Sequence, residues 1–373
     1  MAGIYLHIPF CKQACTYCNF HFSTSLKTKD ELVRALVREA EEEKEYVGQE
    51  TINTIYFGGG TPSILDESDI AFLLTTLLTC YQISPDVEVT LEANPDDITP
   101  QKLNTWKQLG INRLSIGVQS FFENELRWMN RAHNSYQAIN SLELARKLFD
   151  NITIDLIYGS PFLSDEMWKK NVDQALKLYI PHLSCYALTV EEKTPLHKLI
   201  KTQKTPDVQN ESQARQFLLL MEWLREEGYE HYEVSNFAKP GFRSRHNSSY
   251  WKGEKYLGLG PSAHSYNGYQ RRWNIANNNQ YIKITTENSN QRETETLTVK
   301  QRLNEYVMIS LRTMEGMDLK KVVEQFGSKE QERIQKSVQK FITKGLVKMD
   351  NSILQLTDEG MLRADGIASE LFA

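Results

Sequence analysis

Over its first half the sequence alternates, six times, a short β-rich run with an amphipathic helical pattern. The runs are IYLHIPF, INTIYFGG, VEVTLEAN, RLSIGVQS, NITIDLIYG and HLSCYALTV, and the patterns between them include KDELVRALVREAEEEKEY and SYQAINSLELARKLF. Such units connect with one hand and lay their strands in parallel, which leaves an open sheet or a curled one. Alternation inside the strands separates the two. In VEVTLE, Val87, Val89 and Leu91 share one face and Glu88, Thr90 and Glu92 the other; LSIGVQ sets Leu114, Ile116 and Val118 against Ser115, Gly117 and Gln119. A sheet covered by helices on both faces reads as unbroken apolar runs, whereas a polar inner face belongs to a lumen that holds something. The pattern predicts an α/β fold, a partial (β/α)6 barrel over residues 1–190.

Residues 191–300 are less regular. An amphipathic helix, QARQFLLLMEWLREEGY, precedes aromatic and glycine-rich loops and the polar run TTENSNQRETET, which reads as a solvated linker. Residues 301–373 give three helical patterns and then a hairpin-like VKMDNSILQLT, the order of a mostly helical, winged-helix-like domain. Basic and acidic residues balance there, and the whole chain carries a net charge of −5. No electrostatic footprint for nucleic acid results, and packing or covering a site is the role expected of this domain. No apolar run is long enough to span a bilayer, so a soluble, cytoplasmic protein without an integral membrane segment is expected.

Three of the five cysteines, Cys11, Cys15 and Cys18, crowd into CKQACTYC directly after the first strand, where a barrel places its active site. Cys80 and Cys185 stand alone in apolar surroundings and read as ordinary core residues. Tight clustering of an odd number argues for reduced thiolates serving a metal centre rather than for a disulfide framework. Two centres compete on spacing. Three cysteines can hold a [4Fe-4S] cluster with one iron left open, or they can join His21 in a Cys3His zinc site. An open iron asks for further groups in the lumen, and the strands supply candidates. FGGGTP follows the second strand, and Glu92, Gln119 and Asp155 fall at or near the ends of the third, fourth and fifth. Arg131, in MNRAHN, adds a fixed positive charge able to fork onto a carboxylate.

CKQACTYC followed by GGGTP, in a chain of six βα units, resembles the radical S-adenosylmethionine (SAM) superfamily. HIPFCKQACTYCNF, LEANP, GVQSF, DLIYG, YEVSNFAKPG and HNSSYW together resemble its anaerobic coproporphyrinogen III oxidase group, and within it the haem (heme) chaperone branch, over nearly the whole chain. The resemblance implies a TIM-like radical SAM barrel whose [4Fe-4S] cluster is held by Cys11, Cys15 and Cys18. Its open iron would chelate the amino and carboxylate groups of SAM. Gly59, Gly60, Thr61 and Pro62 would contact the methionyl part, Glu92, Gln119, Arg131 and Asp155 the carboxylate, sulfonium and ribose, Tyr5 the cluster and Ala187 the adenine. The decarboxylating enzyme of this group carries CxxxCxxCxC, and here Phe20 takes the last position, which points to the chaperone branch. His246 in HNSSYW is then the candidate axial ligand of haem iron, with Tyr250 and Trp251 as flat apolar surface. The implied partners are haem and acceptor haemoproteins, membrane respiratory proteins among them, met transiently. The alternative implied activity is oxygen-independent coproporphyrinogen III dehydrogenation on a tetrapyrrole. A SAM-binding or zinc-stabilised scaffold without turnover is the third reading.

Overall fold

A computed structural model describes residues 1–287, 289 and 292–373. Six strands form in the order expected: β1 (Ala2–Ile8), β2 (Ile52–Gly59), β3 (Ile83–Ala93), β4 (Arg113–Gln119), β5 (Ile152–Tyr158) and β6 (His182–Ala187). Each pairs in parallel with the next. The spatial order never reverses, which separates this sheet from a doubly wound one, where order reverses at a switch point.

The two faces divide as the alternation requires. Ile4, Leu6, Val89, Leu91, Leu114, Ile116, Ile154 and Leu183 are buried against the surrounding helices in one continuous core. Those helices bring Leu32 and Leu36 from Lys29–Glu42, Leu73 and Leu77 from Glu67–Cys80, and Trp168 and Val172 from Asp165–Lys177. Each fully buried large apolar side chain contributes about 1.5–3 kcal/mol, so this outer layer fixes the curvature that shapes the lumen. Local chemistry sets where helices begin: Thr99, Asn134 and Ser164 each accept a hydrogen bond from the backbone N–H three residues on.

The middle of the chain holds more strand than its sequence suggests. β7 (Glu230–Glu233) and β8 (Asn236–Ala238) extend the sheet antiparallel beyond β6. At the other edge β9 (Lys255–Leu259) pairs in parallel with β1, and β10 (His264–Tyr266), β11 (Gln270–Trp273) and β12 (Glu293–Thr296) follow antiparallel. These runs are three to five residues long, too short for a period of two to register. The segment TTENSNQRETET also departs from a plain linker: Thr285 and Thr286 end helix Asn278–Thr286, and Glu293–Thr296 are strand. Residues 288, 290 and 291 of that run lie outside the described residues.

The C-terminal region has its own core, built on Leu303, Val307, Leu319, Ile334, Val338 and Leu354. Helix Val299–Leu311 leads to β13 (Met317–Asp318), helices Leu319–Phe326 and Ser328–Thr343, and a hairpin of β14 (Val347–Asp350) and β15 (Ile353–Leu356). The three strands order as β13-β15-β14, so the helices carry a small wing. Among the described residues no helix is long and apolar enough to cross a membrane.

Candidate functional site

At the carboxyl ends of the strands lies a cavity of about 500 Å³. Cys11, Cys15 and Cys18 enter its lining from the loop after β1, Gly59, Gly60 and Thr61 from the end of β2, and Glu92, Gln119, Asp155 and Ala187 from the ends of β3 to β6. Tyr5, Phe20 and Arg131 complete the set brought together from distant parts of the sequence. Pro62 is buried behind it, at the start of a short 3-10 turn, and does not line the cavity.

The cysteine loop is fastened at several points. Cys11 N–H donates to Ser23 O at 3.0 Å and Ser23 N–H to Pro9 O at 2.6 Å, closing the loop on itself. Thr16 N–H donates to Met129 O and Leu196 N–H to Thr16 O, and Gln13 Nε2 reaches Asn130 Oδ1 at 2.6 Å. All three thiols are free and half-buried. Burial pushes the Cys11 thiol up to about 11, because an isolated thiolate is poorly solvated there. Three thiolates in so small a space are compatible only with compensating positive charge.

That compensation is partly built in. Arg131 Nη1 donates to Cys15 Sγ at 3.2 Å, and Arg131 Nη2 donates to Asn94 Oδ1 at 2.7 Å and to Gly117 O at 2.8 Å. Asn94 Nδ2 donates to Thr61 Oγ1 at 3.4 Å, and Thr61 Oγ1 donates to Cys11 Sγ at 3.6 Å. A chain of hydrogen bonds therefore runs from one cysteine to another through Thr61, Asn94 and Arg131. Gly117 permits this approach: a Cβ there would sit 3.1 Å from Arg131 Nη2.

The described side chains form no ready-made site for a single zinc ion. Zinc–sulfur bonds of about 2.3 Å in a tetrahedron demand sulfurs within roughly 4 Å of one another. Among the described residues no three His, Cys, Asp or Glu side chains are placed to share one ion. The expected fourth zinc ligand is also turned away: His21 Nε2 bonds Asn278 Oδ1 at 2.7 Å, and His21 lines a different cavity.

Two carboxylates face the cysteines across the lumen. Glu92 Oε1 accepts from Tyr56 OH at 2.8 Å and Glu92 Oε2 from Gly59 N–H at 3.2 Å. Burial, aided by the charge of Asp155, pushes Glu92 up to about 7, and burial pushes Asp155 up to about 6 against the pull of Arg131 and Arg113. A cationic ligand in this space would hold both ionised. Gln119 ends β4 with φ of 65°, a left-handed turn that carries its amide to the lining.

Gly59 is the tightest point. Its φ is 108°, and a Cβ would lie 2.7 Å from the His7 ring. Gly59→Ala is expected to cost about 1–3 kcal/mol, read as a lower denaturation midpoint. It would also displace the N–H that anchors Glu92. An unchanged midpoint would show that β2 ends more freely than this geometry allows.

The HNSSYW segment lies elsewhere. It forms helix Arg245–Trp251, not a loop, and its N-terminus meets the middle of β3: Glu88 accepts from the N–H groups of Arg245 and His246 at 3.1 and 3.0 Å. His246 is 1 % exposed. Its Nδ1 bonds Thr54 Oγ1 at 2.8 Å and its Nε2 bonds Tyr250 OH at 2.9 Å. Burial drives its titration down to about 3, so it is a neutral, fully partnered side chain plugging the end of the barrel opposite the cysteines. Both ring nitrogens are hydrogen-bonded in this arrangement.

Tyr250 and Trp251 instead line a second cavity of about 970 Å³ beside the first. Tyr5, Asn19 and Phe20 line both. Phe20 is 70 % exposed between them, a cost in apolar surface that an occupant on either side would relieve. Asn94 and Tyr56 are site residues the sequence did not single out. Asn94 was findable, two positions beyond Glu92 at the same strand end.

Comparison with known proteins agrees with this arrangement. The radical SAM superfamily profile matches residues 5–175 and the HemN C-terminal domain profile residues 297–363. The chain is 35 % identical over 331 residues to the heme chaperone HemW of Bacillus subtilis, covering 88 % of this chain and 87 % of that protein. It is 34 % identical to the heme chaperone HemW of Lactococcus lactis, covering 87 % and 84 %. The solved structure of coproporphyrinogen III oxidase (HemN) from Escherichia coli superposes with a TM-score of 0.86 at 24 % identity, over 100 % of this chain and 90 % of that one, and shares its fold.

Proposed function

Because the chain belongs to the radical SAM superfamily, in the group of the HemW proteins, we propose that it is a haem chaperone that binds a [4Fe-4S] cluster and SAM and delivers haem to acceptor haemoproteins. The observation that carries this reading is the continuous similarity to heme chaperones over 88 % of the chain. The second cavity beside the cysteine cavity supports it, since it offers separate room for a cargo.

A cluster held by Cys11, Cys15 and Cys18, when bound, would supply an open iron for chelating SAM and an electron for its cleavage. The residues around it do the remaining work. Arg131 offsets thiolate charge at Cys15 and holds Asn94 and Gly117 O in place. Glu92 and Asp155 present two carboxylates to a sulfonium and a ribose, and Gly59, Gly60 and Thr61 let main-chain groups approach the methionyl part without obstruction. Gln119 and Ala187 line the remaining wall, toward the nucleoside. Respiratory haemoproteins at a membrane face are the acceptors we favour, in transient contact.

Anaerobic reconstitution with iron and sulfide tests the proposal. The expected result is a protein that binds SAM, develops a Soret band with haem and leaves coproporphyrinogen III unconsumed. Alanine at Cys11, Cys15 or Cys18 is expected to reduce iron to background while shifting apo-protein stability by less than about 1 kcal/mol, because these side chains are half-buried on a loop held by its backbone. Consumption of coproporphyrinogen III would make the protein a tetrapyrrole-modifying enzyme instead. Tetrahedral zinc with no iron uptake would overturn both readings.

A further inference from the structure

Beneath the cysteine cavity the barrel is filled by polar layers, and one of them holds a cation. Strand alternation sets Arg113, Ser115 and Gly117 on the inner face of β4. Tyr56, Thr90 and Arg113 stand side by side on β2, β3 and β4, while Glu92, Ser115 and Thr153, on β3, β4 and β5, lie one layer nearer the cavity. Two residues of strand separate these layers, roughly 7 Å. Arg113 is 1 % exposed and does not line the cavity, and neither its Nε nor its Nη2 has a hydrogen-bond partner among the described residues. A guanidinium so placed is costly unless charge of opposite sign lies near it.

The neutral groups around it are spent on one another. Thr153 Oγ1 bonds His182 Nδ1, His182 Nε2 bonds Tyr232 OH at 2.8 Å, and Ser184 Oγ donates to Asn236 Oδ1 at 2.6 Å. Of the nearby acids, Glu88 accepts from the N–H groups of Arg245 and His246, and Glu233 from Ser235 N–H and Asn236 Nδ2, so both are committed. Glu92 stands one layer above Arg113 and Asp155 one above Thr153, and both line the cavity. The other titrating groups that face this pair, Tyr5, Tyr56, Tyr186, Tyr250 and Cys185, are held neutral by burial. His182 and His246, which feel the charge of Arg113, are neutral too, again through burial. That leaves Arg131 on the cavity side and Arg113 beneath as the cations acting on the two carboxyls.

We propose that Arg113 is the internal counter-charge of the SAM site, a positioning residue that does not touch the ligand and acts on its sulfonium through Glu92 and Asp155. The assignment rests on the SAM-binding reading of the cavity. Without this charge the carboxyls ionise at higher pH, and they attract a cation only from that higher pH upward.

The test compares full-length wild type, Arg113→Met and Arg113→Lys. Apo protein is unfolded with denaturant from about pH 5 to about pH 9, and anaerobically reconstituted protein is titrated with SAM in a calorimeter over the same range. At an effective dielectric near 20, a unit charge one layer away moves a carboxyl by about one pH unit or more. Arg113→Met is therefore expected to bind SAM about tenfold more weakly near pH 7, with the gap closing toward about pH 9. In the apo protein, the pH above which stability stops falling, about 7 for Glu92 in the wild type, is expected to rise by about one unit. Arg113→Lys should keep both midpoints near those of the wild type. Methionine replaces a buried charge with apolar bulk of similar length, so folding should survive, with iron content and thermal midpoint as controls. Unmoved midpoints in both measurements for Arg113→Met overturn the proposal. A loss of SAM affinity equal at every pH also overturns it and assigns Arg113 to packing. If wild type binds no SAM, the SAM reading falls and takes the ligand of this proposal with it, whereas a raised apo midpoint in Arg113→Met still upholds the counter-charge.

Discussion

Glu92→Gln is expected to make the protein more stable at about pH 8 and worse at holding SAM. Burial and Asp155 hold the Glu92 carboxyl up at about 7, against an ordinary value near 4.5. The sign follows from proton counting. Below about pH 4.5 the group is protonated in both folded and unfolded chains and contributes nothing. Between that value and about 7 the folded chain retains a proton the unfolded chain has released, so stability falls as pH rises, and above about 7 the full penalty is present. Glutamine keeps the shape and the acceptor for Tyr56 without the charge and relieves repulsion with Asp155, and these gains outweigh the loss of the Gly59 N–H bond, which its NH2 cannot accept. A gain on the order of 2–3 kcal/mol near pH 8, vanishing toward pH 4, is the expected difference in denaturant unfolding. Equal gain at both pH values would locate the cause in packing instead. SAM brings a sulfonium and an ammonium, and losing a buried anion opposite a cation costs about 2–5 kcal/mol, or at least about 30-fold in affinity. Calorimetric titration showing less than a twofold loss would remove Glu92 from the SAM site.

Arg131→Leu carries the other large effect. The guanidinium satisfies Cys15 Sγ, Asn94 Oδ1 and Gly117 O, so leucine leaves two half-buried oxygens without this donor and one thiolate without its cation. Each orphaned acceptor costs about 1–3 kcal/mol, and SAM affinity should fall about 100-fold or more because the carboxylate loses its counter-charge. The reduction potential of the cluster should move negative, since a positive charge that favours the reduced, more anionic state has gone. Lysine should restore part of the potential and little of the binding, because a point charge cannot serve three acceptors as a planar fork does. Unchanged SAM affinity together with an unchanged potential would assign Arg131 to scaffolding only.

Much of this was legible in the residues, and the gaps have physical causes. Alternation in VEVTLE and LSIGVQ is a backbone property, and the structure keeps Val89 and Leu91 in the core, Glu92 on the cavity lining and Glu88 buried under the helix that carries His246. The cysteine spacing likewise survives folding, because it concerns one loop. The surroundings of His246 were not legible, because a histidine among aromatics looks alike whether it faces a ligand or plugs a core. They are set by Thr54 and Glu88, distant in sequence, which bind its ring and its backbone. Strands β7 to β12 were missed since each is stabilised by a neighbour rather than by its own pattern.

Tyr5, Asn19 and Phe20 belong to the walls of both cavities, so the partition between them is a few side chains thick. If either occupant shifts that partition, linkage becomes symmetric: whatever factor SAM imposes on porphyrin affinity, porphyrin must impose on SAM. Loading would then regulate itself at equilibrium, with no messenger beyond one shared wall.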